Sequence, residues 1–231
     1  MSTTVAPAVP IPVAAPPEDE TFTIPGLSWG QYVAISDALG DQPNLRTLFL
    51  DGSLTLVSPS FVHEWAEDAL DAILLAVAVG CDVEMVALGS TTLRKGVGTA
   101  GLEGDRAYYL GDNVARVGRP ETIDLDIHPP PDLAIEVENS HGASRSLGIY
   151  SRLGVPEVWR YDVRRRTLAF LALQPDGSYR ATSPSPNLPF LTPEDVLQQL
   201  ERAEEMKSRT RWFRQLADWV RDEIRPRLEA R

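Results

Sequence analysis

Residues 129–138 read PPPDLAIEVE, a run in which acidic and apolar side chains alternate behind three prolines. Because successive side chains of a β-strand point to opposite faces, Asp132, Glu136 and Glu138 share one face of the strand predicted at Asp132–Val137. Carboxylates on one face of a buried strand repel one another and lose hydration, and a bound cation would relieve both costs. The run therefore predicts either a strand that helps to hold a cation or an edge strand whose acidic face lies in water.

Further strands and helices are predicted on both sides of this run. Apolar or alternating stretches predict strands at Arg46–Leu50, Leu54–Val57, Val83–Leu88, Arg106–Leu110, Glu157–Asp162, Leu168–Leu173 and Ser178–Ala181. Capping residues and helical spacing predict helices at about 28–39, 58–79 and 144–153, and another from Thr192. Asp51-Gly52, between two strands, predicts a tight hairpin turn. This order predicts an α/β fold, a mixed β-sheet flanked by helices, with a helical C-terminus.

The chain divides into three predicted parts. Residues 1–24 are rich in alanine, proline, valine and threonine without periodicity, which predicts a disordered N-terminal tail. Residues 25–200 contain most of the predicted elements and form one domain, and residues 201–231 form a helical extension. An apolar stripe in that extension predicts either packing back onto the domain or a homodimer contact. The stripe consists of Trp212, Phe213, Leu216, Trp219, Val220 and Ile224.

The composition is that of a globular protein, with 43% hydrophobic and 24% charged residues among 231. Its apolar runs are shorter than the roughly 20 residues of a membrane span, and no basic segment precedes an apolar one at the N-terminus. The single cysteine, Cys81, excludes an intramolecular disulfide and a cysteine zinc site. We therefore expect a cytoplasmic protein that does not bind membranes. The net charge of −11 argues against a nucleic-acid coat protein and indicates either a solvated acidic surface or a metal site.

Two further acidic positions are candidates for chemistry. Asp105 precedes the predicted strand Arg106–Leu110 and follows a glycine-rich segment, where an aspartate is either a ligand or a turn former. Glu64 lies near the start of a predicted helix, next to His63, and shares a helix face with two aspartates. His63 is either a capping residue or part of a site.

Several motifs occur in an order that is typical of one family. They are Leu50-Asp51-Gly52, Ser58-Pro59-Ser60, His63-Glu64, GLEGDRAYYL at 101–110, PDLAIEV at 131–137, GVPEVWRYD at 154–162 and Leu191-Thr192-Pro193-Glu194-Asp195. Over roughly residues 28–200, this set resembles the Uma2 family of restriction endonucleases within the PD-(D/E)XK nuclease superfamily. The resemblance implies a restriction-endonuclease-like fold and metal-dependent hydrolysis of DNA phosphodiester bonds.

The resemblance also implies the residues of an active site. Glu64 matches the acid of the helix, Asp105 the acid of the first catalytic strand and Glu136 the acid of the second. These three carboxylates would hold Mg²⁺ or Mn²⁺, which prefer oxygen ligands. Asp132 matches an aspartate that either binds the metal or positions the strand, and His63 matches a histidine that supports the first turn of the helix.

One position departs from the family pattern. A lysine commonly lies four residues before the tyrosine that matches Tyr150, and this chain has Ser146 there. Arg145 or Lys95 could supply the missing positive charge, because arginine stabilises phosphate charge although it is too basic to activate water. The alternative to an active enzyme is therefore an impaired nuclease fold that binds DNA or protein without turnover. A glycosidase with paired carboxylates would not account for the ordered motifs.

Overall fold

The chain folds into two β-sheets with helices packed between and around them. The computed structural model describes residues 18–40, 44–89, 91–96, 98, 100–118, 123–139 and 143–230. Its strands are β1 Glu20–Pro25, β2 Arg46–Leu50, β3 Ser53–Ser58, β4 Met85–Gly89, β5 Thr92–Arg94, β6 Ala100–Glu103, β7 Arg106–Leu110, β8 Leu133–Glu138, β9 Glu157–Asp162, β10 Thr167–Leu173 and β11 Tyr179–Thr182. Its helices are α1 Trp29–Leu39, α2 Phe61–Gly80, α3 Asp112–Val117, α4 Ala143–Leu153, α5 Pro193–Glu205, α6 Arg209–Trp219 and α7 Arg225–Glu229, with a π-helical turn at Val220–Ile224.

One sheet has five strands in the order β1-β3-β2-β6-β5, and the other has six in the order β11-β10-β9-β8-β7-β4. Strands β8 and β9 run parallel, and the crossover between them contains α4. Their neighbours β7 and β10 pair with them antiparallel, so the larger sheet is mixed. The predicted α/β class with mixed strands flanked by helices is confirmed, although the strands form two sheets and not one.

The six-stranded sheet has a core on each face. On one face, Leu133, Ile135 and Val137 of β8 pack against α2, in a core that extends to α5 and α6. On the other face, Ala134 packs against α4, which also contacts strands β2 and β6 of the five-stranded sheet. Strand β8 therefore turns apolar side chains toward α2, as its alternating sequence predicted, and carries Glu136 on the face of α4.

Local sequence signals account for the ends of α2 and for the hairpin between β2 and β3. Ser60 is the N-cap of α2, and its hydroxyl accepts a hydrogen bond from the His63 N–H at 3.4 Å. The helix ends at Gly80, as predicted. In the hairpin turn, Asp51 and Gly52 have φ angles of 48° and 81°, and both are positive, as a type I′ turn requires.

The predicted boundary at residue 24 is wrong, because β1 spans Glu20–Pro25 and pairs with β3. The composition of this segment resembles a disordered tail and does not predict a strand. The strand forms because its backbone groups pair with those of β3, at the edge of the five-stranded sheet. Thr23 adds a side-chain hydrogen bond of 2.9 Å to Thr55. Residues 1–17 of the predicted tail lie outside the described residues.

The glycine-rich segment before Asp105 contributes strand β6, which the sequence did not predict. Gly101 in this strand lies so close to Tyr32 that a Cβ there would be 2.9 Å from the phenolic oxygen. Glycine is therefore required for the contact between β6 and α1, since any side chain would push the two elements apart.

The C-terminal helices pack onto the domain. Trp212, Leu216 and Trp219 are at most 3% exposed and join the core formed by α2 and the six-stranded sheet. Phe213, predicted on the same face, is 41% exposed. The buried residues of the stripe thus serve packing within the chain. Among the helices of the described ranges, none combines the length and the apolar character needed to cross a membrane.

The contact between α2 and the C-terminal segment can be tested at Gly80. A Cβ at this position would clash with Cγ1 of Val220, a short, β-branched and buried side chain that cannot swing away. We expect Gly80→Ala to lower the free energy of unfolding by about 1–3 kcal/mol, as overpacking typically does. The matched control is Gly30→Ala in α1, where a Cβ meets nothing within 4 Å. Chemical denaturation should show the control as stable as the parent protein or more stable.

Candidate functional site

A polar cleft opens where β1, β2, β3, α2, β8 and α4 approach one another, and its volume is about 250 Å³. Acidic side chains outnumber basic ones along its walls. The charged and amide side chains of the lining, together with Ser146, are Asp19, Arg46, His63, Glu103, Asp105, Glu136, Glu138, Asn139 and Arg145. The cleft thus contains two of the three predicted metal ligands, Asp105 and Glu136.

Sheet register brings these two carboxylates together. Arg106 of β7 lies opposite Ile135 of β8 in an antiparallel pair, so that Asp105, one residue earlier, lies beside Glu136. The Asp105 side chain is buried, and its Oδ2 accepts a hydrogen bond of 2.7 Å from the Val137 N–H. The backbone of β8 therefore holds the Asp105 carboxylate at the position where Glu136 enters the cleft.

Two hydroxyl groups from α4 hold Glu136. The Tyr150 hydroxyl donates to Glu136 Oε1 at 2.6 Å, and Ser146 supplies a second hydrogen bond. Burial, and then the negative charge of Glu136, raise the pKa of Tyr150, so this hydroxyl stays protonated and donates. Gly104 makes room for the pair, because a Cβ there would clash with the Tyr150 hydroxyl and lie 3.3 Å from Glu136 Oε1.

Desolvation raises the pKa of Glu136, and the hydrogen bonds from Tyr150 and Ser146 and the charges of Arg46 and His63 offset only part of this effect. An acid whose pKa is higher in the folded than in the unfolded chain stabilises the fold at low pH. That contribution is lost as pH rises through the folded-state pKa. Ionisation of Glu136 at higher pH therefore lowers the free energy of unfolding of the metal-free protein.

We expect Glu136→Gln to stabilise the metal-free protein more at neutral than at acidic pH. Glutamine keeps an acceptor for Tyr150 but cannot ionise, so the variant avoids the cost of a buried negative charge. Urea denaturation in EDTA at several pH values measures the difference between variant and parent. A difference that does not change with pH would contradict the raised pKa of Glu136.

A buried arginine lies beside Asp105. Arg46 of β2 donates from Nη2 to Glu67 Oε2 at 2.6 Å and from Nη1 to Asp105 Oδ1. Its Nη1 also lies 3.2 Å from His63 Nε2. Arg46 and Glu67 were not among the predicted site residues, although an arginine that opens an apolar strand and a glutamate four residues after His63 are signals that could have identified them.

His63 connects the start of α2 to the segment before β1. Its Nδ1 lies 2.8 Å from Asp19 Oδ2, and its Nε2 lies 3.0 Å from Asp105 Oδ2. Asp19 also accepts a hydrogen bond of 2.8 Å from the Ser60 N–H. Burial raises the pKa of Asp19, but the hydrogen bonds and charge of His63 together with the Ser60 bonds outweigh it and lower the pKa overall. Asp19 therefore remains a carboxylate that orients the imidazole ring.

The chemistry of these groups fits a divalent cation. His63, Glu67 and Asp105 each offer one ligand atom, and the three atoms lie within 4.8 Å of one another. Asp105 and Glu136 line the same cleft and offer a second pair of carboxylates. Carboxylate oxygens suit Mg²⁺ and Mn²⁺, and an imidazole nitrogen suits later transition metals. In the structure, the guanidinium of Arg46 pairs with both carboxylates of the first arrangement.

The structure does not bring Glu64 to the cleft lining. His63 and Glu67 are four residues apart on α2 and share the helix face that contacts Arg46, whereas Glu64 is about 100° further round the helix. The helix acid that offers a ligand atom within 4.8 Å of those of His63 and Asp105 is Glu67, and a metal-binding role for Glu64 stays a prediction.

Asp132 lies at the other end of β8 and outside the cleft lining. Its two oxygens accept hydrogen bonds from the Leu110 N–H at 2.8 Å and from the Asn113 side chain at 2.7 Å. Of the two roles left open by the sequence, these contacts favour positioning of the strand over metal binding.

The two residues that could replace the missing lysine, Arg145 and Lys95, lie in different places. Arg145 lines the cleft and donates from Nη1 to the Thr55 hydroxyl. Lys95 is exposed and lies outside the cleft lining.

Two other features that could bind DNA lie away from the cleft. The Arg164–Arg166 run forms ion pairs with acidic residues outside the cleft. Trp159 is fully buried and stacks against Phe170.

Comparisons with known proteins agree with this architecture. The model of the Uma2 family, described as putative restriction endonuclease, matches residues 29–205. Among solved structures, the chain is similar to a putative nuclease belonging to DUF820 from Anabaena variabilis, with a TM-score of 0.51 and 14% sequence identity over 75% of this chain and 99% of that chain. At this level of identity the likeness concerns the fold. A search of curated proteins found no match.

Proposed function

We propose, from the premise that this chain belongs to the Uma2 family, that it is a metal-dependent endonuclease that hydrolyses phosphodiester bonds of DNA. The observation that carries the proposal is the placement of Asp105 and Glu136 side by side in one cleft. Phosphodiester hydrolysis requires an activated water and compensation of the negative charge that develops on the phosphate. Paired carboxylates that hold a divalent ion are suited to both requirements.

In this proposal, Asp105 and Glu136 hold Mg²⁺ or Mn²⁺, and waters complete the coordination shell. When bound, the ion would neutralise phosphate charge and lower the pKa of a bound water. The protein's own contribution is preorganisation. The Val137 N–H fixes Asp105, and the hydroxyls of Tyr150 and Ser146 fix Glu136.

Arg145 is the proposed phosphate contact at the wall of the cleft. It is partly exposed, lines the same cleft as the carboxylates and is held by Thr55 of β3. A guanidinium can bind two phosphate oxygens at once and keeps its charge at every physiological pH. Contacts of this kind would bind DNA irrespective of its sequence and would weaken with salt.

The second candidate function is binding of DNA without turnover. Ser146 favours it, because this residue contributes a neutral hydroxyl to Glu136 at the position where related nucleases carry a lysine. One positive charge next to the reacting phosphate is then absent from that position.

The two functions are distinguished by incubating supercoiled plasmid with the full chain and Mg²⁺ or Mn²⁺, with EDTA as the metal-free reference. The endonuclease proposal expects nicked circles that require the ion. Salt-sensitive binding of the plasmid without nicking, over a range of both metals, would favour the second function.

A further inference from the structure

We propose that Arg46 is a permanent cation of this site and that it excludes a divalent ion from the position between His63, Glu67 and Asp105. The site would then use one metal ion together with one arginine in place of two metal ions. The inference depends on the proposed function only where it assigns the remaining metal ion to Asp105 and Glu136.

The guanidinium contacts each of the three residues that a metal ion would need there. Nη2 lies 2.6 Å from Glu67 Oε2, Nη1 pairs with Asp105 Oδ1, and Nη1 lies 3.2 Å from His63 Nε2. Each of the three residues capable of ligating a metal there is thus in contact with Arg46. A bound ion would have to displace the guanidinium from both carboxylates.

Displacement is unfavourable because the whole assembly is buried. The side chains of Arg46 and Glu67 are 8% and 6% exposed, and a guanidinium moved off its partners would be an unpaired charge away from water. The other oxygen of Glu67 forms a second ion pair, because Oε1 lies 2.6 Å from Arg106 Nε. Two arginines therefore already neutralise the one carboxylate that α2 offers to this position.

Asp105 lines the same cleft as Glu136, which keeps it available as a ligand of the ion proposed there. In two-metal nucleases a carboxylate bridges ions about 3.5–4 Å apart, and each ion compensates charge on the reacting phosphate. Here Asp105 pairs with the guanidinium of Arg46 and neighbours Glu136 in the register of β7 and β8. Arg46 occupies the place of one ion and is itself part of the cleft lining, beside the position that lacks the usual lysine.

The test is the number of Mn²⁺ ions bound per chain, measured from the free Mn²⁺ signal by electron paramagnetic resonance. We expect Arg46→Met to bind one more ion than the parent protein, and Arg46→Met combined with Glu67→Gln to lose that extra ion. Arg46→Lys, which keeps the positive charge, should bind as many ions as the parent. Equal numbers in the parent and in Arg46→Met would overturn the inference.

A second measurement does not depend on folding of the Arg46 variants. Glu67→Gln alone should leave Mn²⁺ binding of the parent unchanged, whereas a loss of one ion would show that Glu67 already ligates a metal and would overturn the inference. The outcomes also separate the inference from the proposed function. No ion in the parent and one in Arg46→Met would support exclusion by Arg46 and contradict the Asp105–Glu136 metal site, and no ion in any variant would contradict both.

Discussion

Asp105→Asn is expected to lower metal-dependent nicking of plasmid DNA by more than about 10³-fold. Loss of a single preorganised electrostatic contact typically costs about 10²–10³ in rate, and loss of a metal ion removes several such contacts at once. Asparagine has nearly the same shape as aspartate, so the variant tests the charge of Asp105 and not its volume. Initial rates of nicking at saturating Mn²⁺ measure the effect.

Glu64→Gln is the matched control, because it removes the same charge from a residue outside the cleft lining. It should nick at the rate of the parent protein. Thermal unfolding provides a readout that does not depend on activity, since an ion at a hundredfold excess over its Kd stabilises the folded state by about 2.7 kcal/mol. The parent and Glu64→Gln should show this stabilisation and Asp105→Asn should not. If Asp105→Asn and Glu64→Gln behave alike in both assays, Asp105 is not a metal ligand.

The elements around the site were predictable wherever a local pattern determines them. The alternation in β8 places Leu133, Ile135 and Val137 against α2 and Glu136 on the opposite face, as the structure shows. Caps, turn residues and a terminal glycine similarly fixed the ends of α2 and the β2–β3 hairpin. These signals act over a few residues and are readable without the fold.

The rest of the site depends on contacts between distant segments. Asp19 reaches His63 across 44 residues, and Arg46 reaches Asp105 across 59. No local pattern encodes such pairs. The choice between Glu64 and Glu67 also depends on distant contacts, because spacing identifies which helix residues share a face but does not show which face meets Arg46. Only the packing of α2 against the six-stranded sheet selects the face with His63 and Glu67.

Two of the acidic side chains that contribute to the negative net charge lie on α2 and have partners within the protein. Asp68, which shares a predicted helix face with Glu64, pairs with Arg106 at 3.0 Å and approaches Arg209 at 3.6 Å. Asp71, on the same face, accepts a hydrogen bond from the Tyr108 hydroxyl. Asp68 is 48% exposed, so these residues combine a partly solvated position with contacts that connect α2 to β7 and α6.

Ser146→Lys is expected to increase the rate of nicking by about 10²–10³-fold if the missing lysine limits catalysis. Ser146 is buried, lines the cleft and bonds to Glu136, so a lysine there would place its ammonium group near both carboxylates. The gain should appear in kcat with little change in DNA affinity, because the added charge acts mainly on the transition state. The ammonium should also lower the pKa of Glu136 and shift the pH profile of nicking to lower pH.

Arg145→Ala tests whether an arginine already performs this role. If Arg145 contacts the phosphate, its removal should abolish nicking in the parent protein and have a smaller effect in Ser146→Lys, where lysine supplies the charge. If instead Arg46 provides the cation next to Asp105, Arg145→Ala should weaken DNA binding in both backgrounds to the same extent, because only the phosphate contact of Arg145 is lost. A Ser146→Lys protein that is as inactive as Asp105→Asn with Mg²⁺, Mn²⁺ and several DNA substrates would contradict the endonuclease proposal. The cleft would then be better described as a binding site in which Arg46 permanently pairs with Asp105.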